Sequence, residues 1–119
     1  MTNQEKEILK IRFGLAVKKK IEENQILSKA NKLKGFKDHL LIDNLKKLEA
    51  SSGVTYANLY KIVNGSKNPA FTTIHALIEG LNIKVDKFFA EYYYRISDNE
   101  VERIIKERKR KRVKIIKKK

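Results

Sequence analysis

Residues 44–89 read NLKKLEASSGVTYANLYKIVNGSKNPAFTTIHALIEGLNIKVDKFF, and this stretch decides the fold. Gly53 lies between two short amphipathic segments, where the chain must turn sharply between helices. Such a turn needs a positive φ, which Gly adopts without steric cost. Val54 follows as an anchor to the core. Thr55 then provides a predicted N-cap, because its hydroxyl can accept a backbone N–H of the next turn.

A short helix is predicted over about residues 56–63. Leu59 and Ile62 share one face of this helix, at the spacing that is typical of a buried stripe. Gly65 ends it, and Pro69 disfavours a helical conformation in the residue before it. The polar and aromatic residues of 56–64 therefore occupy faces that are free to meet a partner.

Two further core helices are predicted after the loop. Thr72 or Thr73 starts the first, which ends at Asn82. Its inward-facing residues are Ile74, Leu77, Ile78 and Leu81. The second begins near Asp86 and runs through Phe88, Phe89, Tyr92 and Tyr93. One or two residues of Tyr92–Tyr94 are expected to close the core, and the role of the third is left open between the core and a dimer interface.

The N-terminal part predicts a helix from Glu5 to Asn24, capped by Thr2 or Asn3. Residues 25–43 leave two interpretations open. In the first, Ser28 caps a short helix that ends at Gly35, and one long helix then runs from Phe36 through Leu48. In the second, this stretch is an insertion with its own turn.

The positive charge of the chain is concentrated at its C-terminal end. Residues 103–119 contain eleven Lys or Arg and one acid, Glu107, so they carry +10 of the net charge of +14. Such a surplus favours polyanions such as nucleic acid. A helix capped by Ser97 or Asp98 is predicted here, with like charges that fray its last turns. The alternative is a solvated tail that only aids solubility.

Composition argues against several classes of function. The chain has no cysteine, no apolar run near the ~20 residues of a membrane span, and no apolar signal core at its N-terminus. We therefore expect a cytoplasmic, prokaryotic protein that is not in a membrane. His39 and His75 stand alone, and neither a Gly-rich phosphate loop nor metal-ligand spacing occurs. We therefore expect no enzyme, no metal and no cofactor.

The pieces SGVT, NLYKIVNG, SKNP and GLNIKVDKFF follow one another at a spacing that resembles the helix-turn-helix of the phage-repressor and Cro (Xre-like) family. The resemblance covers about forty-five of the 119 residues. The family usually has Gln at the position of Leu45, a small Ala at that of Glu49 and Gly at that of Asn82. The positions that carry the resemblance are Leu48, Gly53, Val54, Thr55, Leu59, Ile62, Gly65, Asn68, Pro69, Leu77, Leu81, Ile83, Asp86 and Phe88.

The resemblance implies an all-α fold: a five-helix lambda-repressor-like DNA-binding domain with an extra basic C-terminal helix or tail. Residues 1–24 would form its N-terminal helix, and 25–43 an extended link or insertion. Residues 44–96 would form the helix-turn-helix core, and 97–119 the basic helix or tail.

The function that the resemblance implies is sequence-specific binding of double-stranded DNA by a transcriptional regulator, acting as a homodimer. In this motif the second helix reads base edges in the major groove. Asn can bond to adenine, and Lys can reach guanine or phosphate. In the family the loop of Ser66, Lys67 and Asn68 lies against the DNA backbone, so Lys67 is a phosphate candidate. Thr72 and Thr73 are further phosphate candidates, and helix capping alone is the alternative for these two. The expected DNA-binding residues are Thr55, Tyr56, Ala57, Asn58, Tyr60, Lys61, Asn64, Lys67, Asn68 and Thr72.

Two other functions remain open at this point. One is a protein-interaction module, such as an antitoxin or mobile-element accessory protein, whose main partner is a protein. The other is non-specific nucleic-acid binding, in particular to RNA, with the basic tail dominant.

Overall fold

A computed structural model describes residues 1–35 and 41–117, with side chains as far as residue 113. Every regular element in these residues is helical, as the sequence predicts. The helices are α1 (Asn3–Leu33), α2 (Leu45–Ser52), α3 (Tyr56–Val63), α4 (Phe71–Gly80), α5 (Val85–Phe88) and α6 (Asp98–Lys117), with a π-helical turn at Phe89–Tyr93. The interpretations placed on Phe36, His39 and Leu40 lie outside the described residues.

Helix α1 is capped by Thr2, one of the two predicted caps, but it begins at Asn3, before the predicted Glu5, and continues beyond its predicted end. Thr2 and Glu5 form a capping box, in which the Thr2 hydroxyl accepts the Glu5 N–H at 3.1 Å. The prediction that the helix ends at Asn24 is wrong, because residues 25–33 contain no glycine or proline to stop it. Ser28 lies inside the helix, so its predicted role as a cap is also wrong. Gly35, at φ 75°, follows the end of α1.

The connection into α2 is not one continuous helix. Residues 41–43 are non-helical, and Asn44 caps α2 by accepting the Lys47 N–H at 2.8 Å. The interpretation of a single helix running into α2 is therefore wrong. The buried Asn24 side chain holds this segment against α1 by donating to the Ile42 carbonyl at 2.8 Å.

Helix α1 also forms the support on which α3 lies. A Cβ added to Gly14 would lie 2.6 Å from the Ile62 carbonyl oxygen and closer still to that of Val63. The glycine therefore permits the backbones of α1 and α3 to approach one another. Leu48, Leu59 and Leu77, each fully buried, join α2, α3 and α4 in the same core.

Helix α4 starts one residue before the predicted position. Ala70, directly after Pro69, is the extended residue before the first turn, and its side chain makes no capping bond. Thr72 and Thr73 therefore lie within the first turn and do not begin the helix. Asn82, at φ 61°, adopts the left-handed conformation that ends this segment.

The aromatic cluster divides between core and surface. Tyr92 and Tyr93 are buried, whereas Tyr94 is 72% exposed. Burial, together with the Glu23 carboxylate that accepts from the Tyr92 hydroxyl at 2.9 Å, raises the pKa of Tyr92 to about 12. This hydrogen bond joins the π-helical turn to α1.

Helix α6 is ordered against α1. Ser97 caps it by accepting the Glu100 N–H at 3.2 Å, and Val101 is only 1% exposed. Arg12 of α1 pairs with Asp98, and Lys19 pairs with Glu100 at 3.1 Å. In the part of the chain that the structure describes, no helix has both the length and the apolar character needed to cross a membrane.

Candidate nucleic-acid interface

The turn between α2 and α3 has the geometry that the sequence predicts. Gly53 has φ 75° and donates its N–H to the Glu49 carbonyl at 3.0 Å, which closes α2. Thr55 caps α3 by accepting the Asn58 N–H at 3.4 Å. Val54 is partly buried against the core. Helix α3 is therefore fixed at its start by local sequence.

Glu49 adds a second cap that sequence analysis did not find. Its exposed carboxylate turns toward α3, where Oε2 accepts the Tyr56 N–H at 2.6 Å. A helix N-terminus carries unpaired N–H groups and a partial positive charge, both of which favour a carboxylate. The family that the chain resembles usually has Ala at this position, so the resemblance did not indicate a capping role for Glu49.

Helix α3 has one buried face and one open face. Leu59 and Ile62 are 0% and 1% exposed, as predicted. Tyr56 and Tyr60 are 44% and 58% exposed. Ala57, Lys61 and Asn64 are also exposed, while Asn58 is half-buried. The open face thus combines aromatic, amide and ammonium groups on one short helix.

The loop after α3 folds back onto this open face. Lys67 Nζ donates to Asn58 Oδ1 at 2.7 Å. The Ser66 backbone N–H donates to Asn64 Oδ1 at 3.0 Å, and the Ser66 hydroxyl donates to the Lys61 carbonyl at 3.2 Å. These bonds bring Lys67 beside α3, so that the two lysines and two asparagines form a single surface.

Two predicted site residues lie apart from the open face of α3. Asn68 is exposed at the edge of a shallow apolar groove that Phe13 and Ile74 also line. Thr72 is exposed in the first turn of α4. Both are accessible to a partner, but no bond described above connects either of them to the open face of α3.

Helix α6 reaches the far end of α3. The Arg108 guanidinium donates to the Asn64 backbone carbonyl, which lies 44 positions earlier in the chain. Local patterns carry no signal for a pair so distant, and the sequence indicated only that the segment is basic. Exposed basic residues surround this contact on α6: Lys106, Lys109, Arg110, Lys111 and Arg112.

The described residues contain no group of three or more His, Cys, Asp or Glu side chains placed to hold a metal ion. His75 packs against the ring of Phe71, with ring centroids 4.5 Å apart in an edge-on arrangement.

Comparison with known proteins returned no matching protein-family model, no matching curated protein and no matching solved structure.

Proposed function

We propose that this chain binds double-stranded DNA sequence-specifically, as a helix-turn-helix protein of the phage-repressor and Cro class. In this proposal α1–α5 form the five-helix core, and α6 is an added basic element. The observation that carries the proposal is the α2–Gly53–α3 unit, in which a doubly capped α3 turns an open polar face outward.

The open face of α3 has the chemistry that groove reading needs. Base edges in the major groove are recognised by short hydrogen-bonding side chains at the start of the second helix. Asn58 supplies such a group near the start of α3, Lys61 adds an ammonium group in its last turn, and Tyr56 and Tyr60 add exposed hydroxyls and rings. Because Leu59 and Ile62 fix the opposite face in the core, these groups are presented on a rigid support.

Helix α6 would contribute sequence-independent affinity. Among the residues whose side chains the structure describes, Arg103, Lys106 and the four basic residues of 109–112 are exposed, and the contact of Arg108 with Asn64 brings them to the end of α3. Contacts between cations and phosphates position a protein on a duplex but carry no sequence information directly. We expect α6 to act as a clamp on the DNA backbone beside the major groove.

The biological role that follows from this proposal is a transcriptional regulator in a prokaryotic cytoplasm, bound to its operator as a homodimer. A two-fold dimer would place two α3 helices on successive major grooves, about one helical turn apart. Exposed aromatic residues outside α3, Phe71 and Tyr94, are candidates for the dimer contact.

The decisive experiment is selection of duplexes from a random pool by the full chain. Enrichment of a short defined motif supports the proposal, and a palindromic motif supports the dimer. The matched control is Asn58→Ala, which should lose part of that motif. If the full chain enriches no motif, sequence-specific binding is excluded, and the protein-interaction or RNA-binding function takes its place.

A further inference from the structure

The hydrogen bonds of the open face decide which polar atoms remain for a ligand. Asn58 Oδ1 accepts from Lys67 Nζ at 2.7 Å, and Asn64 Oδ1 accepts from the Ser66 N–H at 3.0 Å. An ammonium and a backbone N–H are donors only, so in each case the amide oxygen must be the atom that faces them. Both side-chain NH₂ groups are therefore directed away from these bonds.

Hydrogen-bond donors thus dominate this surface. It presents the amide NH₂ groups of Asn58 and Asn64 together with the ammonium groups of Lys61 and Lys67. The Thr55 hydroxyl already accepts the Asn58 N–H, so it too has its proton left to donate. The tyrosine hydroxyls can donate or accept, and they do not discriminate between ligands.

Base pairs differ in how well they match such a surface. In the major groove guanine presents two acceptors, N7 and O6, whereas adenine presents the acceptor N7 and the donor N6–H₂. The two-point contact of Asn with adenine needs a free amide oxygen for N6–H₂. Asn58 Oδ1 retains a second lone pair, but the Lys67 ammonium beside it repels the amino group of adenine and attracts O6 of guanine.

We propose that Asn58 and Lys67 act as one donor pair that selects guanine over adenine in the major groove. This inference rests on the proposed DNA-binding function and specifies the base that the site reads. It also replaces the expectation that Asn58 contacts adenine. Lys67 then has two effects, since it orients the Asn58 amide and supplies a second donor to O6.

The first test uses the motif selected by the full chain. We expect guanine at a position whose enrichment disappears with Asn58→Ala. That guanine is then replaced by its deaza analogue, which has carbon in place of N7, and affinity should fall roughly tenfold. Hypoxanthine is the control, because it keeps N7 and O6 and lacks only the minor-groove amino group. It should leave affinity unchanged.

The second test separates orientation of Asn58 from simple charge. Lys67→Met removes the ammonium and keeps an unbranched side chain that is one atom shorter, so preference for guanine over adenine should fall about fivefold. Lys106→Met, on α6, is the matched control. It should weaken binding equally to the duplex with guanine and to the duplex with adenine at the Asn58-dependent position. For each variant the ratio of the two affinities is compared, because the loss of a phosphate contact lowers both affinities by the same factor and leaves their ratio unchanged.

The outcomes distinguish this inference from the function on which it rests. Absence of any motif for the full chain would overturn the proposed function and the inference with it. A motif in which the Asn58-dependent position is adenine would overturn the inference alone. An unchanged guanine-to-adenine ratio in Lys67→Met, or equal affinity for guanine and its deaza analogue, would also overturn the inference alone.

Discussion

The Glu49 carboxylate of α2 accepts the Tyr56 backbone N–H of α3 at 2.6 Å, so a side chain of the first helix caps the second. Glu49→Ala removes this acceptor, and we expect it to lower the free energy of unfolding by about 0.5–2 kcal/mol. Glu49→Gln keeps an acceptor and should lose less. Urea denaturation measures both. The control is Glu79→Ala, an exposed change on α4, and equal losses for Glu49→Ala and Glu79→Ala would refute the cap.

Gly14 marks the closest approach of α1 to α3. A Cβ at this position would lie 2.6 Å from the Ile62 carbonyl oxygen, and a backbone cannot yield as a flexible side chain does. Gly14→Ala should destabilise the protein by about 1–3 kcal/mol, the usual effect of overpacking.

The control for Gly14→Ala is Lys18→Ala, an exposed change on the same helix. It should change the free energy of unfolding by no more than about 0.5 kcal/mol. Equilibrium denaturation compares the two. If Gly14→Ala were as stable as Lys18→Ala, the backbones of α1 and α3 would not be as closely packed as the structure shows.

The two faces of α3 should respond differently to substitution. Leu59 is 0% exposed, so Leu59→Ala opens a cavity and should cost about 2–5 kcal/mol. Asn58→Ala and Lys61→Ala should change the melting temperature little and lose about 1–3 kcal/mol of discrimination between selected and scrambled duplexes.

Melting curves and affinities for all three variants check this contrast. Parental binding of both duplexes by Asn58→Ala and Lys61→Ala would show that α3 does not read the groove, and would favour a protein partner.

Binding should weaken steeply with salt, because each neutralised phosphate adds about −0.9 to the slope of log affinity against log salt. Removing residues 108–119 should reduce both affinity and that slope while leaving the selected motif unchanged. The part of α6 that packs against α1, including the buried Val101, stays in place in this truncation, whereas the contact of Arg108 with Asn64 is removed. Fluorescence titration at several salt concentrations measures the slope. Selection of a different motif by the truncated chain would mean that α6 reads sequence.

We expect the protonation of Tyr92 to make stability depend on pH in the alkaline range. Its pKa is raised from 10.0 to about 12, mainly by burial and then by Glu23, so the folded state holds this proton more tightly than the unfolded state does. The resulting stabilisation is complete below pH 10.0 and is lost as the pH rises toward about 12.

Tyr92→Phe should therefore flatten the fall in stability across that range, as followed by urea denaturation at several pH values. Tyr94→Phe removes an exposed hydroxyl and is the matched control. The same slope in Tyr92→Phe and in the parent would contradict the effect of burial.

The features that the sequence predicts correctly are local ones. Gly53 needs a left-handed turn, Thr55 needs only the N–H three residues later, and Leu59 and Ile62 share a face by spacing alone. Each depends on a few neighbouring residues, so a short pattern contains all the information. The bounds of α3 follow from the same local rules.

The errors and omissions have two physical causes. The predicted end of a helix is wrong where no residue stops the helix, as in α1, which continues past Asn24 to Leu33. Contacts between residues that are separated in the sequence are not predicted, because no local pattern specifies a partner. Arg108 with Asn64, and Lys67 with Asn58, belong to this group, and these contacts determine how the candidate site is arranged.

The docking of α6 on α1 has a kinetic consequence. Arg12 and Asp98 lie 86 positions apart, so their contact closes a long loop of chain. Closing a longer loop costs more conformational entropy, and we expect this pair to form after the transition state for folding. Variants that weaken such late contacts mainly speed unfolding and barely slow folding. The pair of Arg12 and Asp98 would then affect the lifetime of the folded molecule more than the time that it needs to fold.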